Sequence, residues 1–171
     1  MTFKDWIEDI ISKGLLCDDY TNRVNSAISK KQIADIGLDA NGISYLAQMA
    51  YKGYPLPYST ILKEFKNFIN GNYVYESIPN DRGYTYKTEL YVEYNNNIDV
   101  RTTCVALLGC KTKVKLKERT VVELYLDSNC EIELDCPLSS RCRVYMYGEP
   151  IVKVLNNEEK VKLIQVDGDA E

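Results

Sequence analysis

The chain has 171 residues, 45% of them apolar and 27% charged, enough to build one compact domain or two small ones. Its net charge of −4 excludes a general attraction to a phosphate backbone, and its lack of histidine excludes Ser-His-Asp and Cys-His sites within the one chain. No apolar run reaches membrane-spanning length and the acid-bearing start "MTFKDWIEDIISKGLL" does not read as a signal peptide, so no membrane partner is expected and the six cysteines are expected as reduced thiols.

Residues 1–72 read as a small bundle of four or five short helices. Thr2 with Asp5 three residues on forms a capping box, and Phe3, Trp6, Ile7, Ile10 and Ile11 follow at helical spacing until Gly14. A second helix is expected over about Tyr20–Ile28. Ser29 with Gln32 caps "KKQIADIGL", Asn41-Gly42 breaks it, "ISYLAQMAYK" follows, and Gly53 ends that helix. "YPLPY" holds the chain extended before each proline. "STILKEFKNFIN" then places Ile61, Leu62, Phe65, Phe68 and Ile69 on one face, and Gly71 closes it.

"KKQIADIGLDANGISYLAQMA" has the outline of a helix-turn-helix. The interval from Ala34 to Gly37 is three residues, one short of what that motif uses. The helix that would read bases has Ser44, Tyr45 and Gln48 outward and no Lys, Arg or Asn between Ile43 and Ala50. Residues 1–72 hold eight basic and eight acidic side chains, so specific nucleic-acid binding is not expected.

From Tyr73 the apolar period changes from helical to two, which sets the expected boundary between Asn70 and Tyr75. The division is a helical docking domain, 1–72, and a β-rich assembly domain, 73–171. "YTYKTELYVEY" puts Tyr84, Tyr86, Thr88, Leu90, Val92 and Tyr94 on one face, and "IDVRTTCVALL" can return antiparallel after "NNN". Six short alternating units follow, whose first inward residues are Val114, Val122, Ile132, Val144, Val152 and Val161, at steps of 8, 10, 12, 8 and 9. The fold class is α+β: a helical bundle, then an all-β domain of short strands. Uneven but close spacing leaves two architectures open, a sandwich or meander and a short β-solenoid with one strand per rung.

"NCEIELDCPLSSRC" carries three cysteines at six-residue steps. In "CEIELDC", Cys130, Ile132, Leu134 and Cys136 share one parity, so these thiols point into the core as small hydrophobes. Cys142 begins the next strand with Val144 and Met146 on its face, and Cys104 shares parity with Ala106, Leu108 and Cys110. No two cysteines have the close spacing of a zinc site, so no metal is expected. The opposite face is charged: Lys113, Lys115 and Lys117, then Glu123 and Asp127, then Glu131, Glu133 and Asp135, then Arg141 and Arg143. If successive strands are neighbours, basic and acidic rows lie side by side, each pair contributing about 0.2–1 kcal/mol and helping to set register.

No glycine-rich phosphate loop is present, so no cofactor is expected. "EIELD" puts three carboxylates on one strand face, which reads as a solvated stripe rather than an acid/base pair, because glycoside chemistry needs two differently tuned acids in a cleft. No catalytic residue and no small-molecule substrate are expected.

"SKKQIADIGLDANGISYLAQMAYKGYPLPYSTILKEFKNFINGNYV", followed by a Tyr-rich β region with repeated short strands such as "CRVYMYG", resembles small virion proteins of tailed phages of gut Bacteroidetes, including the crAss-like group. The stretch that carries the likeness is "FKNFINGNYV", and the likeness spans most of the chain. It implies a helical docking part, a β part that assembles into rings, connectors, fibres or decorations, location in the virion after synthesis in the host bacterial cytoplasm, and other virion proteins as partners. It supplies no catalytic residue. Fourteen tyrosines point the same way, because tyrosine is enriched where a surface is covered by a partner. The expected interface is Tyr84, Tyr86, Tyr125, Tyr145 and Tyr147, and the expected state is a homo-oligomer. The alternative is a small regulatory or inhibitory binding protein whose helical domain binds DNA or protein.

Overall fold

The computed structural model describes residues 1–37, 39–67, 74–76, 79–80, 83–84, 86–92, 102–109 and 111–167. Helices come first: α1 (Phe3–Ser12), α2 (Asp18–Asn25), α3 (Lys30–Gly37), α4 (Ala40–Tyr51) and α5 (Tyr58–Phe65). The strands are β1 (Val74–Glu76), β2 (Pro79–Asn80), β3 (Gly83–Tyr84), β4 (Tyr86–Val92), β5 (Thr102–Leu108), β6 (Lys111–Leu116), β7 (Val121–Leu126), β8 (Glu131–Asp135), β9 (Arg141–Tyr147), β10 (Ile151–Val154) and β11 (Val161–Val166). The expected domain boundary, and the end of the last helix at Phe68 and Ile69, lie outside the described residues.

The capping box of α1 forms as the sequence predicts: the Asp5 N–H donates to Thr2 Oγ1 at 3.1 Å and the Thr2 N–H to Asp5 Oδ2 at 2.9 Å. Ser29 likewise accepts from the Gln32 N–H at 3.2 Å. Two helices differ from expectation. α2 begins at Asp18, where Asp18 and Asp19 in its first turn complement the positive helix end, and it stops at Asn25 rather than at Ile28. α4 is capped by Asp39, whose carboxylate accepts the Gly42 N–H at 2.8 Å, so Asn41-Gly42 lies inside the first turn instead of breaking the chain. Glycine is needed there because a Cβ on Gly42 would stand 2.4 Å from the Ile36 carbonyl oxygen of α3.

The β region is a short parallel solenoid with two strands per rung. β1-β5-β7-β9-β11 form one sheet in that order, β10-β8-β6-β4 form the other, and β2-β3 make a separate ribbon. Lys111 pairs with Glu131 and Glu131 with Ile151, a pitch of 20 residues, while Thr102 pairs with Val121 at a pitch of 19. The uneven steps of the sequence are half-turns of this coil. Of the two architectures left open, the solenoid is the observed one, with two strands per rung rather than one.

Three expectations change with it. Alternate strands are the neighbours, not successive ones, because each corner carries the chain across to the other sheet. β5 does not return antiparallel on β4; the two lie in different sheets, and each pairs in parallel with the strand two further on. "YTYKTELYVEY" does not keep one parity throughout. Tyr84 belongs to the separate β2-β3 ribbon, and a register shift between Lys87 and Leu90 resets the alternation within β4.

Val114, Val122, Ile132 and Val144 are almost wholly buried between the sheets, with Val105, Leu107, Leu124 and Leu134, and Val152 and Val161 pack against them from the last rung. Cys130, Cys136 and Cys142 belong to this core, as their parity predicts. Cys104 faces the other way, towards the helices.

Polar groups at the corners are paired. Buried Asp127 accepts the Gly109 N–H at 2.9 Å and the Asn129 N–H at 3.1 Å through Oδ1, tying one corner to the next. Ser140 donates to the Lys117 carbonyl at 2.8 Å and accepts the Thr120 N–H at 3.1 Å. Asn156 and Asn157 bond both the N–H and the carbonyl of Cys136, at 2.9 and 2.8 Å. Gly148, at φ +79°, turns where a Cβ would meet Ser128 Oγ at 2.4 Å.

A second apolar cluster joins the helices to the outer face of the five-stranded sheet. Trp6, Ile7 and Ile10 of α1, Ile43, Ala47 and Met49 of α4, and Ile61 of α5 pack with Ala106, Leu108, Tyr125 and Tyr147. α4 is the helix seated on β5, β7 and β9. Among the described residues no helix is long and apolar enough to cross a membrane.

Leu134 is fully buried between the sheets, so Leu134→Ala should lose about 2–5 kcal/mol of unfolding free energy. Asp127→Ala leaves the Gly109 and Asn129 N–H groups without their acceptor and should lose about 1–3 kcal/mol. Urea denaturation followed by circular dichroism measures both.

Candidate assembly surface

The five tyrosines expected at an interface do not form one face. Tyr84 lies in β3 and Tyr86 in β4, in two different sheets, and their side chains are outside the described residues. Tyr125, Tyr145 and Tyr147 do come together, on the outer face of the five-stranded sheet. Tyr125 stacks on Tyr145 with ring centroids 4.7 Å apart and planes 8° from parallel. The parallel register that sets Tyr125 beside Tyr145 makes this stack possible. Tyr125 and Tyr147 retain only 6% and 4% of their exposure, and the Tyr147 hydroxyl meets Ser44 Oγ of α4 at 2.6 Å. The cover over this face is the chain's own helical layer.

A polar cluster lies in the same face. Glu123 on β7 accepts from the Tyr125 hydroxyl at 3.0 Å, Arg143 Nη1 at 3.1 Å and the Tyr145 hydroxyl at 3.4 Å. The Cys104 thiol approaches the same carboxylate at 3.8 Å. Burial, and then the negative charge of Glu123, push the Cys104 thiol up to about 12. The same two causes raise the Tyr125 and Tyr145 hydroxyls above their ordinary range. All three groups therefore hold their protons near neutral pH. The carboxylate is occupied by donors, and the thiol is no nucleophile. The cluster ties β5, β7 and β9 together beneath the helices.

The four-stranded sheet carries no helix against its outer face among the contacts described, and its charges are matched across rungs. Lys111, Lys113 and Lys115 on β6 stand opposite Glu131, Glu133 and Asp135 on β8, and Lys153 on β10 stands opposite Glu133. Lys111 approaches Glu131 at 2.5 Å and Lys153 approaches Glu133 at 3.1 Å. Of the charged residues expected on one face, Lys113, Lys115, Glu131, Glu133 and Asp135 lie here, set side by side by the pitch of the coil, whereas Glu123, Arg141 and Arg143 belong to the other sheet and Asp127 is buried at a corner.

The last rung was not singled out from the sequence. β10 and β11 are the end strands of their sheets, with no further strand beyond them among the described residues. Ile151 is 62% exposed and Leu155 39%, both on the charged outer face, since Ile151 stands opposite Glu131 and Lys153 opposite Glu133; Leu163 is 45% exposed, whereas Val144 one rung below is fully buried. Leu163 stands opposite Val144, so it has the core-facing position of its rung with nothing over it. Ile151 and Leu155 donate their N–H groups to Cys130 and Leu134 on β8, at 2.9 Å each. Backbone groups alternate direction along a strand, so Val152 and Val154 turn theirs to the open edge. On β11, Lys162 stands opposite Arg143 and has no carboxylate partner among the described residues. An exposed core position at Leu163, the exposed apolar side chains of Ile151 and Leu155, and strand edges without a neighbour among the described residues are the features that a partner would cover. The sequence signal for this was faint: "IVKVL" and "KVKLIQV" alternate like the earlier units but carry no acidic residue on either strand.

Cys17, Cys104, Cys130, Cys136 and Cys142 are free thiols, and among the described residues no three metal-ligating side chains converge. Cys17 departs from the core reading, because it is exposed at the start of α2. The Tyr45 hydroxyl donates to its sulfur at 3.1 Å, and this bond, with the Tyr20 N–H, lowers its thiol below the ordinary range. At about pH 8, Cys17 should be the first of these five to react with a thiol reagent, the four others reacting only on unfolding. Tyr45→Phe removes the bond that favours the thiolate and should slow Cys17 several-fold; peptide mapping of the labelled protein reads both. Comparison with protein-family models, with curated proteins and with solved structures finds no match to this chain.

Proposed function

We propose that this chain is a non-catalytic structural subunit that works by self-association and docking through its β part, in a phage particle. The observation that carries the reading is the last rung, where Ile151, Leu155 and Leu163 are exposed and β10 and β11 have no further strand beside them among the described residues. Terminal repeats of a stacked coil need a polar cap or a partner, since each repeat buries its apolar face only against its neighbours. The assignment to a particle rests on the likeness of "FKNFINGNYV" and the Tyr-rich strands to phage virion proteins. A regulator that binds DNA through α4 is disfavoured, because Ser44 and Gln48, the side chains it would offer to bases, are turned into the protein. Ser44 bonds Tyr147 and Gln48 is buried. The Glu123 cluster gives an enzyme reading no support, because its carboxylate is occupied by donors and the Cys104 thiol keeps its proton.

An interface covering about 800 Å² per subunit is of standard size for a specific complex. Size-exclusion chromatography with light scattering should show a defined, concentration-dependent oligomer, and mass spectrometry of purified particles should find the chain in them. A protein that stays monomeric at high concentration, joins no particle and turns over a small molecule would overturn the proposal.

A further inference from the structure

We infer that the open edge of β10 takes up one further strand from a partner, an extended segment alternating apolar and acidic residues. This rests on the assembly reading above and names the chemistry of what docks there.

β10 already holds a strand on its other edge. β8, with the sequence Glu-Ile-Glu-Leu-Asp, pairs with it in parallel, setting Ile132 beside Val152, Glu133 beside Lys153 and Leu134 beside Val154. Both edges of a strand present the same side chains on the same faces, so the open edge makes the same demands as the filled one. Val152 and Val154 ask for apolar neighbours on the core side, and Lys153 asks for a carboxylate on the outer side.

The column of charges states the demand in sign. Lys113, Glu133 and Lys153 succeed one another across β6, β8 and β10, so the next place in the alternation is acidic. Lys153 remains 67% exposed beside Glu133, which leaves room for a second carboxylate. The backbone supplies the attachment. The N–H groups of Val152 and Val154 point outward, and an added strand would accept from them as β8's carbonyls accept from Ile151 and Leu155. A lysine-rich segment would meet like charge, and an acidic helix could not satisfy the edge.

The test uses the full chain and a fluorescein-labelled synthetic peptide with the sequence of residues 129–137, serine replacing both cysteines. A control peptide carries lysine at each acidic position. Fluorescence anisotropy should show the acidic peptide binding at least about tenfold more tightly than the control, a difference that salt reduces. Val154→Pro removes an edge N–H while leaving the bonds of Ile151 and Leu155 to β8, and should weaken peptide binding at least about tenfold with an unchanged circular dichroism spectrum. Should that variant fail to fold, Lys153→Gln keeps the proposal open to refutation, because it should erase most of the preference for the acidic peptide. Equal binding of both peptides, binding of neither, or undiminished binding by a folded Val154→Pro would overturn the inference. Light scattering separates the two readings. A Val154→Pro protein that binds no peptide but still assembles like the parent overturns strand addition as the route of assembly and leaves the assembly reading standing. A parent chain that is monomeric yet binds the acidic peptide upholds strand addition and defeats self-association.

Discussion

A parallel sheet has to be covered on both faces, and the five-stranded sheet of this protein is where that constraint acts hardest. Its inner face lies against the four-stranded sheet through Val105, Leu107, Leu124 and Val144, and its outer face lies against α4 through Ala106, Leu108, Tyr125 and Tyr147. Without the helical layer that outer face would be a broad apolar patch of the kind soluble proteins rarely leave bare. The helices thus share a core with the sheet instead of forming a separate bundle. This accounts for α4 having buried residues around most of its circumference, Ile43, Leu46, Ala47 and Met49 among them.

Among the described residues, the outer face of the four-stranded sheet carries charge where the other sheet carries helices. Rows of lysine and carboxylate alternate from rung to rung, each row in register with the next. Exposed pairs of this kind contribute about 0–1 kcal/mol each, so they are a minor source of stability. Their effect on register is larger. A slip of one residue would turn Val114, Ile132 and Leu134 outward and bring lysine and glutamate into the core. The hydrophobic pattern and the charge pattern select the same alignment, and the corner bonds of Asp127 and Ser140 hold it at the turns.

Apart from the exposed Cys17 thiol, the reactive inventory of the described residues is small. Glu123 is occupied by three donors, Cys104 keeps its proton, and Cys130 and Cys142 are buried. The unmet demand is geometric: a row of backbone groups and three exposed apolar side chains at one end of the coil, Ile151, Leu155 and Leu163. Strand edges are ready templates for further strands, and the proposed assembly role rests on that property.

Local features were legible in the sequence. Alternation placed Val114, Val122, Ile132 and Val144 inward and the charged residues outward, since a strand's side chains change face at every step whatever its neighbours are. The Thr2–Asp5 cap and the core position of Cys130, Cys136 and Cys142 followed from the same kind of short-range rule. What the sequence could not convey was which strand lies beside which. Parity is a property of one strand, whereas pairing here joins residues 20 apart through a corner that crosses to another sheet. For the same reason the tyrosine-bearing face could be recognised as a surface to be covered, but its cover turned out to be α4, from the far end of the described chain. The open last rung left only a faint mark in the sequence, the absence of acidic residues from its two strands. Unpaired N–H and carbonyl groups are common to every residue except proline and leave no mark in the order of side chains, so only the tertiary structure decides which strands end a sheet.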